Sequence, residues 1–535
     1  MNREDFKYLK IIIPISIIAF FSILWIRPVD LMEARNFITA REMIENKNYI
    51  IPTLNGALRF EKPPLPTWLT VLTMNLTQNY TDEYILRIPS ALAGVIFILL
   101  LYYFVKLLTK NSFISFITSF VGCTTFMIIK LSGENTWDIY SYVAIFGAIT
   151  FLLKGFDSNR YFDFVISGIF LAASILSKGP VAIYGLFLPF LLSHIFIFGL
   201  EKYRKNFKKI LLMFLVGGIL AGIWPLLMYL KYSDIFTSVL LKEKNTWTTR
   251  HTESIFYYLD YFVYMGVWIF FSLFALIKTY KNSENKDYSK FIFWWNIFTI
   301  ILLSLVKMKK KRYGIPIYIT SVLEVGIVCD YFYNKAWENL RKYERYLIYI
   351  QKCFLIALAI SIPISLFFKG YSKNLISRNY MISISLLFLS FALILFKVSK
   401  ERLNKIVILG SGVLMLIVNL TVNSFFDKES SNNVFRSTLN NKYSNIEVIQ
   451  KDPPKYSIYS DNYEIEDVWR VGKKINDYNL NEKLPNKIVF FNDVPEELLE
   501  NYRVLKEEIY VKDDGKFAKL TYLEKMEHSC ILKNK

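Results

Sequence analysis

The sequence predicts an all-α polytopic membrane protein with a small α/β domain at its C-terminal end. Three observations lead there. Of 535 residues, 53% are hydrophobic and 17% aromatic, and the apolar residues gather in runs of about 17–25, long enough to cross a bilayer. Charged residues collect in the connectors between those runs. After residue 423 the chain turns polar and lysine-rich, with short apolar stretches of strand-like length.

Thirteen apolar segments read as spans, near 9–26, 85–106, 112–130, 138–154, 161–177, 180–199, 209–230, 256–277, 288–306, 313–332, 346–367, 379–397 and 404–422. The first follows MNREDFKYLK and lacks a small-residue cleavage site, so it reads as a retained span rather than a removed signal peptide. Residues 65–78 are apolar but short, and read as an interfacial or re-entrant helix. Counting them as a span would reverse every orientation downstream.

Basic residues decide the orientation. With the N-terminus in the cytoplasm, clusters such as Lys202, Arg204, Lys205, Lys208 and Lys209, or Lys335, Arg341, Lys342 and Arg345, fall on the cytoplasmic side. The protein is then a multi-pass protein of the cytoplasmic (inner) membrane, N-terminus in and C-terminal domain out. That placement accounts for the net charge of +19 without a nucleic-acid partner. The four cysteines, Cys123, Cys329, Cys353 and Cys530, show no CxxC or metal-type spacing. They imply neither a disulfide framework nor a cysteine metal site.

The expected division is a membrane domain over 1–423 and an extracytoplasmic α/β domain over 424–535. In the latter, strand-like runs lie at 456–459, 487–491, 502–511 and 518–523, with helix-like PEELLENY between the second and third. No motif there suggests chemistry of its own.

The first outside loop, residues 27–84, is unusually rich in charge. Its stretch 30–68 holds Asp30, Glu33, Arg35, Arg41, Glu42, Glu45, Glu61 and Lys62. Residues 34–44 read as a helix with Phe37, Ala40, Met43 and Ile44 on one side and Arg35, Arg41, Glu42 and Glu45 on the other. That pattern suits a helix lying along the membrane surface. Pro52, the Asn55-Gly56 turn and Pro63-Pro64 stiffen the return path.

ARNFITAREMIENKNYIIPTLNG followed by RFEKPPLPTWL resembles the first loop of the polyprenyl-phosphate-sugar glycosyltransferases. This is the GT-C superfamily of lipid A aminoarabinose transferases and protein O-mannosyltransferases (families 39 and 83). The family pattern is Asp-Glu-x-Arg, then Arg-Glu-Met, then Glu-Lys-Pro. This chain has Met32-Glu33-Ala34-Arg35, Arg41-Glu42-Met43 and Glu61-Lys62-Pro63. Met32 stands where the family places its usual candidate for the catalytic acid. The resemblance covers nearly the whole chain, strongest over 30–316, and includes the thirteen-span layout with an outside C-terminal domain. It implies an inverting transfer of a sugar from a polyprenyl-phosphate carrier to a lipid A-like glycolipid, glycan or protein acceptor at the outer membrane face.

The acids expected to serve catalysis are Glu33, Asp138 and Asp30. Glu33 belongs to the motif, and its structural alternative is an ion pair with Arg35 or Arg87. Asp30 is close enough to replace the missing acid. Asp138, in LSGENTWDIYSYV, matches an acid that the family places in a small outside loop, and its alternative is an N-cap. Expected substrate-binding residues are Arg35, Lys62, Arg87, Lys178, Lys310, Lys311, Arg312 and Tyr313. Lys178-Gly179-Pro180 resembles the family's lysine-glycine-proline turn, and a lysine there binds phosphate or snorkels. The run from Lys307 to Arg312 breaks the orientation rule on the outside face, which an anionic lipid phosphate headgroup explains. Arg312, Tyr313 and Pro316 follow the family's pattern in that segment.

Glu61 and His251 are candidates for a divalent metal such as zinc, on the resemblance, with hydrogen bonding the simpler reading. No cofactor is required. The chain lacks a Walker loop, GxGxxG after a strand, GxSxG and HExxH. A nucleotide-sugar donor would need a sizeable cytoplasmic domain, so the donor is expected to be lipid-linked and used outside. The competing class is a lipid-linked sugar flippase, for which mid-span charges and repeated halves are the expected signs.

Overall fold

The computed structural model describes residues 3–25, 29–282, 287–372, 376–432, 457–479, 484–511 and 517–526. Each of the thirteen apolar segments is mainly helical in its described residues. Among the described residues ten helices are long and apolar enough to cross a membrane, or eleven if one bent pair counts as a span. The two remaining segments are α1 (Arg3–Phe21), charged in its first turns, and the shorter stretch Ile183–Phe198.

Residue chemistry explains the exceptions. In α1 the buried Asp5 carboxylate is 2.9 Å from both the Lys106 Nζ and the Tyr102 hydroxyl, so its charge is neutralised locally. The bent pair is α5 (Ser112–Cys123) and α6 (Phe126–Ser132), which meet at 67°. At the break, the Thr124 and Thr125 hydroxyls donate to the carbonyls of Phe120 and Val121. Such side-chain bonds satisfy carbonyls that a broken helix would leave bare in lipid.

Helix α7 (Trp137–Ser158) and helix Lys311–Asn334 form the centre of the bundle, almost wholly buried. Around α7 pack α4 (Glu83–Thr109) and α8 (Tyr161–Lys178). The Phe104, Phe146 and Trp295 rings sit 5.2–6.4 Å apart in the shared core. Helices Phe207–Lys231 and Arg378–Lys397 leave most of their surface uncovered by protein, as lipid-facing helices do.

At one end of the bundle lies the first loop: α2 (Leu31–Glu45), a hairpin of β1 (Thr53–Leu54) and β2 (Ala57–Leu58), and α3 (Leu65–Thr77). Thirteen residues of α-helix measure about 20 Å, shorter than the hydrocarbon core of a bilayer, and α3 is not among the helices long enough to cross one. Helix α2 departs from the surface helix expected of it. Its residues from Glu33 to Met43 are buried on nearly every side except at Arg35. Bundle and α3 cover one side, and the short helix Ile465–Val471 of the C-terminal region packs on another.

That sheet has the order β4-β3-β5-β7-β6. It comprises β3 (Ser457–Ser460), β4 (Ile475–Asp477), β5 (Lys487–Phe491), β6 (Tyr502–Val511) and β7 (Phe517–Lys525). Strand β3 is parallel to β4 and β5, whereas β7 is antiparallel to β5 and β6. The four runs read from sequence form β3, β5, β6 and β7. The three-residue β4 is too short to show a period. Phe37 of α2 packs against Trp469 at 5.1 Å between ring centres, inside one core shared by α2, α3 and the sheet. The first loop and the sheet thus share one face of the bundle.

Candidate active site

Four segments converge beneath α2: its N-terminal turn, the turn 133–136 before α7, the C-terminal end of α8, and residues 307–314. Asp30 caps α2, its Oδ1 accepting hydrogen bonds from the amides of Met32 and Glu33 at 2.9 Å. Its Oδ2 lies 4.0 Å from Arg312 Nη2, and half of the side chain remains exposed. Arg312 also donates from Nη2 to Glu134 Oε2 at 2.7 Å. One guanidinium therefore bridges the loop helix and the turn before α7.

Asp138 is the second residue of α7 and does not cap it, since Thr136 holds the N-cap position. Its buried carboxylate instead accepts a hydrogen bond from Lys178. The Lys178 ammonium also lies 4.6 Å from the centre of the Tyr313 ring, a cation–π contact. Lys62 pairs with Glu243 at 3.4 Å.

The basic run 307–312 divides by alternation. Lys310 is extended (φ −143°, ψ 153°), so neighbouring side chains point to opposite sides. Lys309 donates from Nζ to the Glu253 carbonyl at 3.1 Å. Lys311 donates at 2.8 Å to the Tyr257 carbonyl and to both oxygens of Asp260, and lies 3.7 Å above the Tyr257 ring. These two lysines hold the segment before helix 269–282. Lys310 faces the other way. Partial burial pushes its ammonium below the usual lysine range, and the nearby cations Arg312, Arg250 and Arg35 push it further. Such crowding of cations favours an anionic ligand.

Glu33 and Arg87 form a buried bidentate pair, Nε to Oε1 at 2.8 Å and Nη2 to Oε2 at 2.7 Å. The Asn135 amide adds a third bond to Glu33 Oε1 at 2.9 Å, and Arg87 Nη1 donates to the Leu24 carbonyl. Glu33 thus pairs with Arg87 rather than Arg35, and both of its oxygens are occupied. Arg87 is equally committed, so neither offers a free group to a substrate.

Residues 61–229 match the family described as dolichyl-phosphate-mannose-protein mannosyltransferase. The chain is 24% identical over 350 residues to the undecaprenyl phosphate-alpha-4-amino-4-deoxy-L-arabinose arabinosyl transferase of Shewanella sediminis, covering 61% of each chain. It is 25% identical over 371 residues to a protein of Aquifex aeolicus, covering 68% of this chain and 70% of that one. It thus spans less than two thirds of the arabinosyl transferase from Shewanella. The crystal structure of ArnT from Cupriavidus metallidurans bound to undecaprenyl phosphate superposes with a TM-score of 0.72 at 15% identity, over 96% of this chain and 98% of that one. The chain shares the fold of ArnT. The apo form of the same ArnT gives 0.69 at 16% identity.

Not every candidate residue joins the cluster. Glu61 faces Arg59 at 4.0 Å. Arg59 is buried against the Trp137 ring at 4.9 Å, and burial pushes its guanidinium down to about 10. His251 is exposed, and its carbonyl accepts the Lys309 amide. Among the described residues no three His, Cys, Asp or Glu are placed to hold a metal. Glu61 and His251 are thus joined by no third described ligand of these types.

Two residues went unnoticed in the sequence. Glu134 and Asn135 sit in a short turn that looks like a connector. Asn135 accepts from the Asn36 amide and the Tyr140 hydroxyl and donates to the Thr70 hydroxyl, locking α2, α3 and α7 together. An acid beside an amide side chain in so short a turn was the only available signal.

Proposed function

We propose that this protein is a GT-C glycosyltransferase that moves a sugar from a polyprenyl-phosphate donor to a glycolipid, glycan or protein acceptor at the outer face of the cytoplasmic membrane. The observation that carries this reading is Arg312, held between Asp30 and Glu134 with Lys310 and Lys178 nearby. Cations of this kind stabilise a departing phosphate, and a neighbouring carboxylate assists an incoming hydroxyl. The named relatives act on undecaprenyl phosphate-linked aminoarabinose, which supports a lipid-linked donor here too.

In the proposed reaction the acceptor oxygen bonds to the anomeric carbon from the face opposite the phosphate. The carbon–oxygen bond to phosphate breaks, and polyprenyl phosphate leaves with the electron pair, held by Lys310 and Arg312. Asp30 takes the hydroxyl proton, because its Oδ2 is the carboxylate oxygen left exposed beside Arg312. Asp138 keeps Lys178 in place. Glu33 and Arg87 position the turn that carries Glu134, through the bond from the Asn135 amide.

Purified protein in lipid nanodiscs, given polyprenyl-phosphate-linked sugars and candidate acceptors, tests this. Acceptor-dependent release of free polyprenyl phosphate is the expected result. Passage of intact lipid-linked sugar across vesicles without that release would replace this reading with the flippase.

A further inference from the structure

We infer that the C-terminal sheet sets the position of α2, acting through Asn55 and Glu42. Both the hairpin tip and the edge of the sheet carry the observation. Thr53 pairs with Leu58 and Leu54 with Ala57, leaving Asn55 (φ 54°) and Gly56 (φ 80°) as a two-residue turn. Asn is among the few residues that tolerate this left-handed geometry. Its side chain then does what a neighbouring strand would do. Asn55 Nδ2 donates to the Ile475 carbonyl at 2.8 Å, and Asn55 Oδ1 accepts from the Ile475 amide at 2.9 Å. Ile475 belongs to β4, the edge strand of the sheet, so one amide side chain satisfies both of its outward backbone groups. Asn55 Nδ2 also donates to the Tyr463 hydroxyl at 2.8 Å.

The other side of the hairpin is tied to α2. Glu42 accepts from the Thr53 hydroxyl at 2.5 Å and from the Gly56 amide at 3.2 Å. A continuous chain of bonds thus runs from α2 through the hairpin to the sheet. Phe37 against Trp469 makes a second contact on another side of the same helix. A short helix held on two sides has its axis fixed. The N-terminal turn of that helix presents Asp30 and Arg35. Glu42, whose acid in the Arg-Glu-Met motif had no assigned purpose, becomes a positioning residue, and so does Asn55. Neither touches the proposed reacting atoms, and the inference rests on the transfer reading of the site.

The test uses full-length protein in nanodiscs. Asn55→Gly keeps the left-handed turn accessible and removes only the amide. Hydrogen exchange over residues 31–45 is expected to rise about tenfold, the scale of one or two lost hydrogen bonds. Turnover is expected to fall at least fivefold, with the donor KM within twofold and the folded fraction unchanged. Glu42→Ala should do the same, and the double variant should be little worse than either single, because both cut one chain of contacts. Asn55→Asp, which keeps the acceptor for the Ile475 amide, should recover part of the loss. Unchanged exchange in α2, or a turnover loss that merely tracks the folded fraction, would overturn the inference. If α2 loosens while turnover holds, positioning fails and the transfer reading stands. If wild-type protein releases no polyprenyl phosphate with any donor, the transfer reading fails and the positioning role falls with it.

Discussion

Arg87 grips Glu33 through two parallel hydrogen bonds of 2.8 and 2.7 Å, at the point where α4 passes beneath α2. The pair is almost completely buried. Breaking a buried pair by neutralising one partner leaves an uncompensated charge and costs about 3–5 kcal/mol. A catalytic base would behave otherwise, with turnover lost and stability kept.

Glu33→Gln is therefore expected to lower the melting temperature clearly, with residual transfer following the folded fraction. The companion variant Glu33→Gln/Arg87→Met should recover stability relative to the single change. Both are read by thermal unfolding in nanodiscs beside a transfer assay. Full stability with turnover lost more than a hundredfold would restore Glu33 as the base.

Asp30→Asn keeps the amide-capping oxygen and removes the basicity. A general base contributes a factor of roughly 10²–10⁴, so turnover should collapse while thermal stability barely moves. Asp138→Asn should lower turnover too, with a rise in donor KM, since Lys178 loses its partner. Wild-type turnover in Asp30→Asn would remove that residue from the chemistry.

The lysines of the basic run should separate by their alternation. Lys310→Ala combined with Arg312→Ala is expected to raise the donor KM at least tenfold, because each charge-assisted bond is worth about 1.5–3 kcal/mol. Lys311→Ala should leave donor KM near wild type and destabilise the protein instead, since it clamps Asp260 and Tyr257. Equal effects of Lys310 and Lys311 on donor KM would contradict the geometry.

Lys310 also gives a pH dependence. Its ammonium titrates below the usual lysine value through burial and neighbouring cations. The protonated form binds phosphate, so donor KM should begin to rise on the alkaline side before an ordinary lysine would lose its proton. Lys310→Arg should move that limb to higher pH. A donor KM profile identical in both proteins would show that another group titrates.

Orientation is testable by cysteine labelling. Asn55 is unsuitable, since its side chain is engaged with Ile475. In a background without the native cysteines, Lys47→Cys and Glu500→Cys should react with an impermeant reagent in intact cells. Lys205→Cys should react only after permeabilisation. Labelling of Lys47→Cys and Lys205→Cys together would mean that the count of crossings between them is wrong.

Much of the architecture was legible because a span announces itself by length and apolarity alone. The long apolar runs are helical, one of them as a bent pair, and α3 was recognisable as too short. Partners were harder to read. Glu33 and Arg87 lie 54 residues apart, and nothing local distinguishes an ion-paired acid from a free one. The run 307–312 looked like a single phosphate patch, because its division into two faces depends on an extended backbone that a charge count does not register. Helix α2 looked amphipathic, yet Glu42 on its polar side is bonded to the hairpin, and Phe37 on its apolar side meets Trp469, more than 400 residues away in sequence.

The same distance governs how the protein is made. Asn55 meets Ile475 across a separation of 420 residues. At about 5–20 residues per second, the first loop leaves the ribosome on the order of half a minute or more before its partner strand exists. During that interval the hairpin has no edge to close on and α2 is covered on one side only. The protein thus completes its first loop only long after that loop is made, when a strand 420 residues further on comes back to meet it.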